Sequence, residues 1–129
     1  MKVIIPVAAG LGSLVSYLFG GWDTLLMVLI IAVVIDYFTG LIAGAIEGKL
    51  SSSVGLRGIG RKVLIFSLVT VSHLIDTILG SQHFIREATI IFYLCNELLS
   101  IIENVSRAGV PVPDFLIKAV DALKNKRKK

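Results

Sequence analysis

The sequence predicts an all-α integral membrane protein. It reads as a bundle of four transmembrane helices, or three if the first apolar segment does not span, with a short amphipathic C-terminal helix. Three observations carry this. First, the 129 residues are 55% hydrophobic and 17% charged, with a mean hydropathy of +0.86, whereas soluble domains hold nearer a quarter charged residues. A single domain of this size leaves much of its surface in solvent, so the apolar surplus calls for lipid. Second, the apolar residues gather in four runs, 3–19, 24–46, 63–79 and 88–105, at or near the length that crosses a bilayer. Third, the basic residues collect in alternate connections, as they do where cytoplasmic loops retain Lys and Arg.

The first run is the weakest. Pro6, Gly10, Gly12, Ser13 and Ser16 interrupt it, although small residues let helices approach closely in lipid. It resembles a signal peptide only loosely, because Tyr17-Leu18-Phe19 is a poor cleavage site. It is expected to remain as a first membrane segment. Gly20-Gly21-Trp22-Asp23 is a turn with an aromatic residue suited to the interface. The run 24–46 is the strongest span, with Asp36 close to its middle. A polar loop is expected over 47–62, followed by a span at 63–79, a short connection where Arg86 and Glu87 cancel, and a last span at 88–105. Gly109 turns the chain into Val110-Pro111-Val112-Pro113, an extended piece because each proline biases its predecessor away from helix. Asp114 then reads as the N-cap of a helix through Leu123, with Phe115, Leu116, Ala119, Val120 and Leu123 on one face. The chain divides into a bundle at 1–105 and a basic tail at 106–129.

Charge sets the expected orientation. In the loop 47–62, Glu47 stands against Lys49, Arg57, Arg61 and Lys62, which leaves +3. The tail from Ser106 carries +5, while the connections 20–23 and 80–87 carry −1 and 0. Both termini are therefore expected in the cytoplasm. Lys49, Arg57, Arg61 and Lys62 are expected to hold topology and meet anionic lipid headgroups. The stretch Gly55-Leu-Arg-Gly58-Ile-Gly60 lacks the spacing of a phosphate-binding loop and reads as a flexible turn. The basic tail reads as a lipid contact, with no nucleic acid expected.

The chemistry-bearing residues lie inside the apolar runs. Asp36, Asp76, Glu97 and Glu103 sit where a charge costs roughly 2.5–3.5 kcal/mol on insertion scales. No Lys or Arg is expected at comparable depth, which leaves His73 as the sole basic neighbour. Tyr93, Glu97, Ser100 and Asn104 step by helical intervals, as do Asn96, Ser100 and Glu103. Asp36, Gly40 and Gly44 are four apart, the last two forming a GxxxG helix-packing match. Asp36, Asp76, Glu97, Ser100, Glu103 and Asn104 are thus the candidates for a polar surface, either closed within one bundle or lining water when several chains associate. Cys95 lies in an apolar run and reads as a small packed hydrophobe. No catalytic or metal arrangement stands clear of the membrane positions, so an enzyme and a cofactor are not expected. A small transporter or ion channel with embedded carboxylates is the alternative reading, and a scaffold subunit a third.

The chain resembles the phage holin family that includes the toxin-secretion and phage-lysis holins of Gram-positive bacteria. The matching residues are Asp36-x3-Gly40, Ala45, the stretch Lys49–Gly55 running on to Gly58-Ile-Gly60-Arg61-Lys62, the segment Glu97-Leu-Leu-Ser100-Ile-Ile-Glu103-Asn104, and Gly109-Val-Pro111-Val-Pro113. They cover most of the chain from Asp36 to Leu116, while 1–21 carries no motif of the resemblance. The resemblance implies a homo-oligomer of the bacterial cytoplasmic membrane. It implies holes that dissipate the membrane potential and release an endolysin, or a toxin, without catalysis.

Overall fold

The computed structural model describes residues 2–128, and its five elements are all helices: α1 (Ile4–Phe19), α2 (Thr24–Ile46), α3 (Ser52–Leu79), α4 (Phe84–Arg107) and α5 (Asp114–Lys128). Their ends follow from local chemistry. The Asp23 carboxylate accepts the Leu26 N–H at 2.9 Å and opens α2. The Ser51 hydroxyl accepts the Val54 N–H at 3.2 Å and opens α3. Such side-chain oxygens satisfy N–H groups that the first helical turn leaves without partners. Gly20 (φ 79°) closes α1 and Gly80 (φ 67°) closes α3 in the left-handed conformation that glycine adopts most readily. Asp114, expected as the N-cap, is the first residue of α5, which continues beyond Leu123 to Lys128.

The cap at Ser51 overturns one expectation. Residues 52–62 do not form a flexible loop; they are the first turns of α3, a helix of 28 residues. The glycines are tolerated there because Tyr37 packs into the notch they leave. A Cβ on Gly58 would lie 3.3 Å from the Tyr37 ring, and a Cβ on Gly55 would lie 3.3 Å from its hydroxyl. That hydroxyl donates to the Gly55 carbonyl at 3.3 Å. Small residues at a helix crossing bring the backbones close, and close van der Waals packing is what holds helices together in lipid.

α4 is the centre of the bundle. It packs most broadly on α2, then on α3, and it also receives α5, while α2 and α3 touch little. The core joins Leu26, Leu29, Ala32 and Val33 of α2 to Val69 of α3 and to Ile90 and Leu94 of α4. Outside it lie exposed apolar side chains such as Ile31, Phe38, Ile42, Leu64, Val71 and Ile78. In water this surface would aggregate; in a bilayer it is the lipid face.

Three helices, α2, α3 and α4, are long and apolar enough to cross a membrane. α1 has 16 residues, about 24 Å at 1.5 Å per residue, which is shorter than the hydrocarbon core of about 30 Å. None of its residues is buried by the rest of the chain. It is held by its C-terminal end, where Phe19 meets Phe66 edge to face with ring centroids 5.7 Å apart. The indole N–H of Trp22 returns to the Gly12 carbonyl at 3.1 Å.

Gly20 is where this attachment is tightest. A Cβ there would lie 2.7 Å from His73 Nδ1 and 3.0 Å from the Arg86 side chain, on a backbone with positive φ. Gly20→Ala is expected to cost about 1–2 kcal/mol from the left-handed backbone alone and to loosen α1 from α3. The check is denaturant titration in detergent micelles, with proteolysis within α1 scored at each step.

Candidate functional site

The centre of the bundle holds a charge triad. Lys62, on α3, extends its ammonium between two carboxylates at the same height. It pairs with Asp36 Oδ2 of α2 and donates to Glu97 Oε1 and Oε2 of α4 at 2.8 and 2.7 Å. Asp36 and Glu97 are both buried. An unpaired charge at this depth would carry its full desolvation cost, whereas a salt bridge with further hydrogen bonds offsets much of it. Those further bonds come from Asn104 of α4. Its side-chain amide donates to Asp36 Oδ1 at 2.8 Å, to the Asp36 carbonyl at 3.1 Å and to Thr39 Oγ1 at 3.1 Å.

From the triad a string of contacts runs to the basic end of the bundle. Asn104 Oδ1 accepts from Arg107 Nη1 at 3.2 Å, and Arg107 Nη2 donates to Glu47 Oε1 at 2.6 Å. Glu97, Lys62, Asp36, Asn104, Arg107 and Glu47 therefore form one connected network from mid-height to the helix ends. The Arg107 guanidinium holds the exposed Glu47 carboxyl below its usual range. Beside this network lies a cavity of about 400 Å³, with Asp36, Lys62, Ser100 and Asn104 inside and Lys49, Arg61 and Arg107 toward its mouth.

A second cluster closes the opposite end. Arg86 is 0% exposed. Its guanidinium takes both oxygens of Asp23, at 2.7 and 3.1 Å, and also donates to the carbonyls of Gly21, at 3.2 Å, and Phe19. It thus joins the N-cap of α2 to the end of α1, where free carbonyls carry the negative end of the helix dipole. Asp76 accepts the backbone N–H groups of Ile85 and Arg86 at 3.0 and 2.8 Å, together with the Ser81 hydroxyl at 2.6 Å. It caps the start of α4 from the end of α3.

The structure sorts the predicted residues into distinct places. Asp36, Glu97 and Asn104 come together, and Ser100 lines the same cavity. Gly40 packs against Asn104, where a Cβ would lie 3.5 Å from its amide nitrogen, so this glycine serves the α2–α4 contact within the chain. Gly44 is buried beneath Leu50, where the chain turns back after α2. Asp76 is a helix cap at the far end and does not join Asp36. Glu103 is exposed, turned away from Glu97 and Asn104. Lys49, Arg57 and Arg61 are exposed at the basic end, but Lys62 is not a headgroup contact: it is the counter-ion of Asp36 and Glu97.

The expectation that no Lys or Arg reaches this depth is therefore wrong. Lys62 lies ten residues inside α3, and Arg86 belongs to α4 and is buried. The signal for Lys62 is present in the sequence. Gly55, Gly58, Lys62, Ile65, Val69, Ser72 and Asp76 step by three and four, one continuous face of a helix. All seven are buried or half-buried. It is missed because glycines and a basic doublet read as a loop.

Two tests follow from this geometry. Lys62→Met leaves two buried carboxylates without their cation and is expected to cost about 3–5 kcal/mol, the scale of breaking a buried pair from one side. The triple change with Asp36→Asn and Glu97→Gln should recover most of the loss, measured as unfolding free energy in mixed micelles. At the other end, the Arg86 hydrogen bonds hold the Asp23 carboxyl below its ordinary value of 3.8. A depressed acid stabilises the fold fully above its unfolded value and loses that contribution as pH falls through the lower, folded value. Stability should therefore be insensitive to this pair from neutrality down to about pH 4 and decline below it. Asp23→Asn should flatten that acid limb in pH-resolved thermal melts.

A sequence profile described as the bacteriophage holin family matches residues 13–125. An uncharacterized protein of Halalkalibacterium halodurans is 46% identical over 127 residues, covering 95% of this chain and 94% of its own length. An uncharacterized protein of Listeria monocytogenes is 46% identical over 117 residues, covering 90% and 84%. A 14.9 kDa uncharacterized protein of Clostridium perfringens, named for its place in the nagH 3' region, is 39% identical over 118 residues, covering 91% and 89%. No solved structure matches the chain. With three helices able to span a membrane and a profile match over most of its length, this chain belongs to the bacteriophage holin family.

Proposed function

We propose that this protein oligomerises in the bacterial cytoplasmic membrane and opens holes that dissipate the membrane potential and release an endolysin, or a toxin, from the cell. Family membership carries this reading. The geometry supplies a physical route. In the single chain each charge at mid-height has a partner of opposite sign, so the chain rests in lipid without a lone buried ion. The contacts that match them join three different helices, and α2 and α3 share little other contact. Crowding of chains separates those helices and exchanges the internal partners for water and for neighbouring copies. The exposed Glu103 and Asn96, seven residues apart on α4, give neighbouring copies polar groups to meet. Because both sit on a helix able to span the bilayer, lipid is a poor partner for them.

The basic end, with Lys49, Arg57, Arg61 and the tail, faces the cytoplasm on this reading, as short loops rich in Lys and Arg do. There Arg57, Arg61 and Lys49 meet anionic headgroups.

The test is induced expression with and without a cytoplasmic endolysin. Growth should stop, a potential-sensitive dye should report abrupt collapse, and the culture should lyse only with endolysin. Asp36→Asn removes one carboxylate from the triad and should shift the time of collapse by more than the spread between replicate cultures, at equal membrane protein level. Cells that keep their potential and retain the endolysin would sink the proposal.

A further inference from the structure

We infer that the cavity beside the charge triad is a solvent-filled vestibule, open at the basic end, which brings water to the triad at mid-height in the bilayer and favours small anions at its mouth. Its walls argue for this. The cavity holds about 400 Å³, room for several waters. The polar groups inside it, on Asp36, Lys62, Ser100 and Asn104, give such waters partners. Four glycines are part of its wall, Gly40 and Gly44 from α2 and Gly55 and Gly58 from α3. Asp36 lies ten residues before the end of α2, so the vestibule reaches about 15 Å inward at the helical rise.

Two side chains bound it toward the lipid face. Tyr37 and Lys62 line this cavity and also an apolar groove of about 650 Å³ formed by Val33, Val34, Val63 and Phe66. The Tyr37 ring, seated on Gly58 with its hydroxyl on the Gly55 carbonyl, and the Lys62 stem are thus the partition between a polar space and a lipid-facing one. Charge decides what passes the mouth. Of the basic residues that line the cavity, Lys62 is matched by Asp36 and Glu97 and Arg107 by Glu47, so the positive excess comes from Lys49 and Arg61 at the mouth. A mouth of that sign concentrates anions and repels cations. The vestibule belongs to the single chain and does not depend on the hole-forming function.

The test is thiol accessibility in sealed membrane vesicles of the full chain, with Cys95→Ala as background. Arg57→Cys marks the basic end and His83→Cys the opposite end; vesicles in which an external reagent labels one marker and spares the other are the sealed ones. Ser100→Cys inside the vestibule is compared with Val34→Cys in the apolar groove. Membrane-impermeant methanethiosulfonates, one anionic and one cationic, are the probes. Because reaction needs a hydrated thiolate, Ser100→Cys should label at least about tenfold faster than Val34→Cys. It should do so only from the side that labels Arg57→Cys. Its anionic-to-cationic rate ratio should exceed that of a free thiol in solution. Labelling as slow as Val34→Cys, or from the His83 side, overturns the vestibule; a cationic preference overturns the anion selectivity. Leu41→Cys, on the α2 wall, repeats the measurement should Ser100→Cys fail to accumulate.

Discussion

The cost of holding a charge in hydrocarbon governs this structure. Asp36 sits halfway along α2, where an uncompensated carboxylate is among the most expensive groups a helix can carry. The answer is Lys62, and using it imposes geometry. Lys62 must lie on a helix at the same height, so α3 has to begin far enough upstream to include it. The glycines at 55 and 58 must let α3 close on Tyr37 so that the ammonium reaches α2. Glu97 must come from a third direction to take the remaining ammonium protons. α4 supplies it and thereby becomes the element on which the others pack.

The two ends of the bundle solve the same problem by different means. At the basic end the network is linear and passes through Asn104 and Arg107 to Glu47, which lies at the surface. At the far end Arg86 is enclosed and gathers partners around itself, the Asp23 carboxylate and two carbonyls at the end of α1. Guanidinium suits that place because its planar fork meets a carboxylate with two parallel bonds and still has donors to spare. Lysine suits the triad because one compact ammonium can be shared between carboxylates on different helices. One polar atom is left over: the buried His73 Nδ1 faces Gly20 without a hydrogen-bond partner among the described residues.

These arrangements bear on how a membrane chain can be quiet and then act. Between helices in lipid there is no hydrophobic drive, because acyl chains are as apolar as leucine. Cohesion rests on close packing and on the polar contacts, and α2 and α3 meet mainly through Tyr37 and Lys62. On the proposed function, the contacts that match charge in the dispersed chain are the ones exchanged for water when chains gather.

How much of this was legible beforehand differs by residue. Composition and run length were sufficient for an all-helical membrane protein, because the hydrocarbon core admits few other ways of satisfying a backbone. The turns at Gly20 and Gly109, the start of the last helix near Asp114, and the shared face of Glu97 and Asn104 follow from local spacing. The role of Lys62 does not, since a Gly-rich basic stretch is a loop by propensity and becomes a helix only when Ser51 caps it and Tyr37 fills its notch. Arg86 and Glu87 cancel as neighbours in the sequence, yet one is buried and the other exposed. Glu103 shares the helical repeat of Ser100 but faces outward, because six residues separate it from Glu97 and that interval turns it off the buried side. The sequence by itself determined that carboxylates lie inside the apolar runs, at Asp36, Asp76 and Glu97. Only the tertiary structure decided which opposite charges meet, since the partners are 26 and 35 residues apart for Lys62 and 63 for Arg86, and at such distances helix packing, not chain spacing, selects the pair.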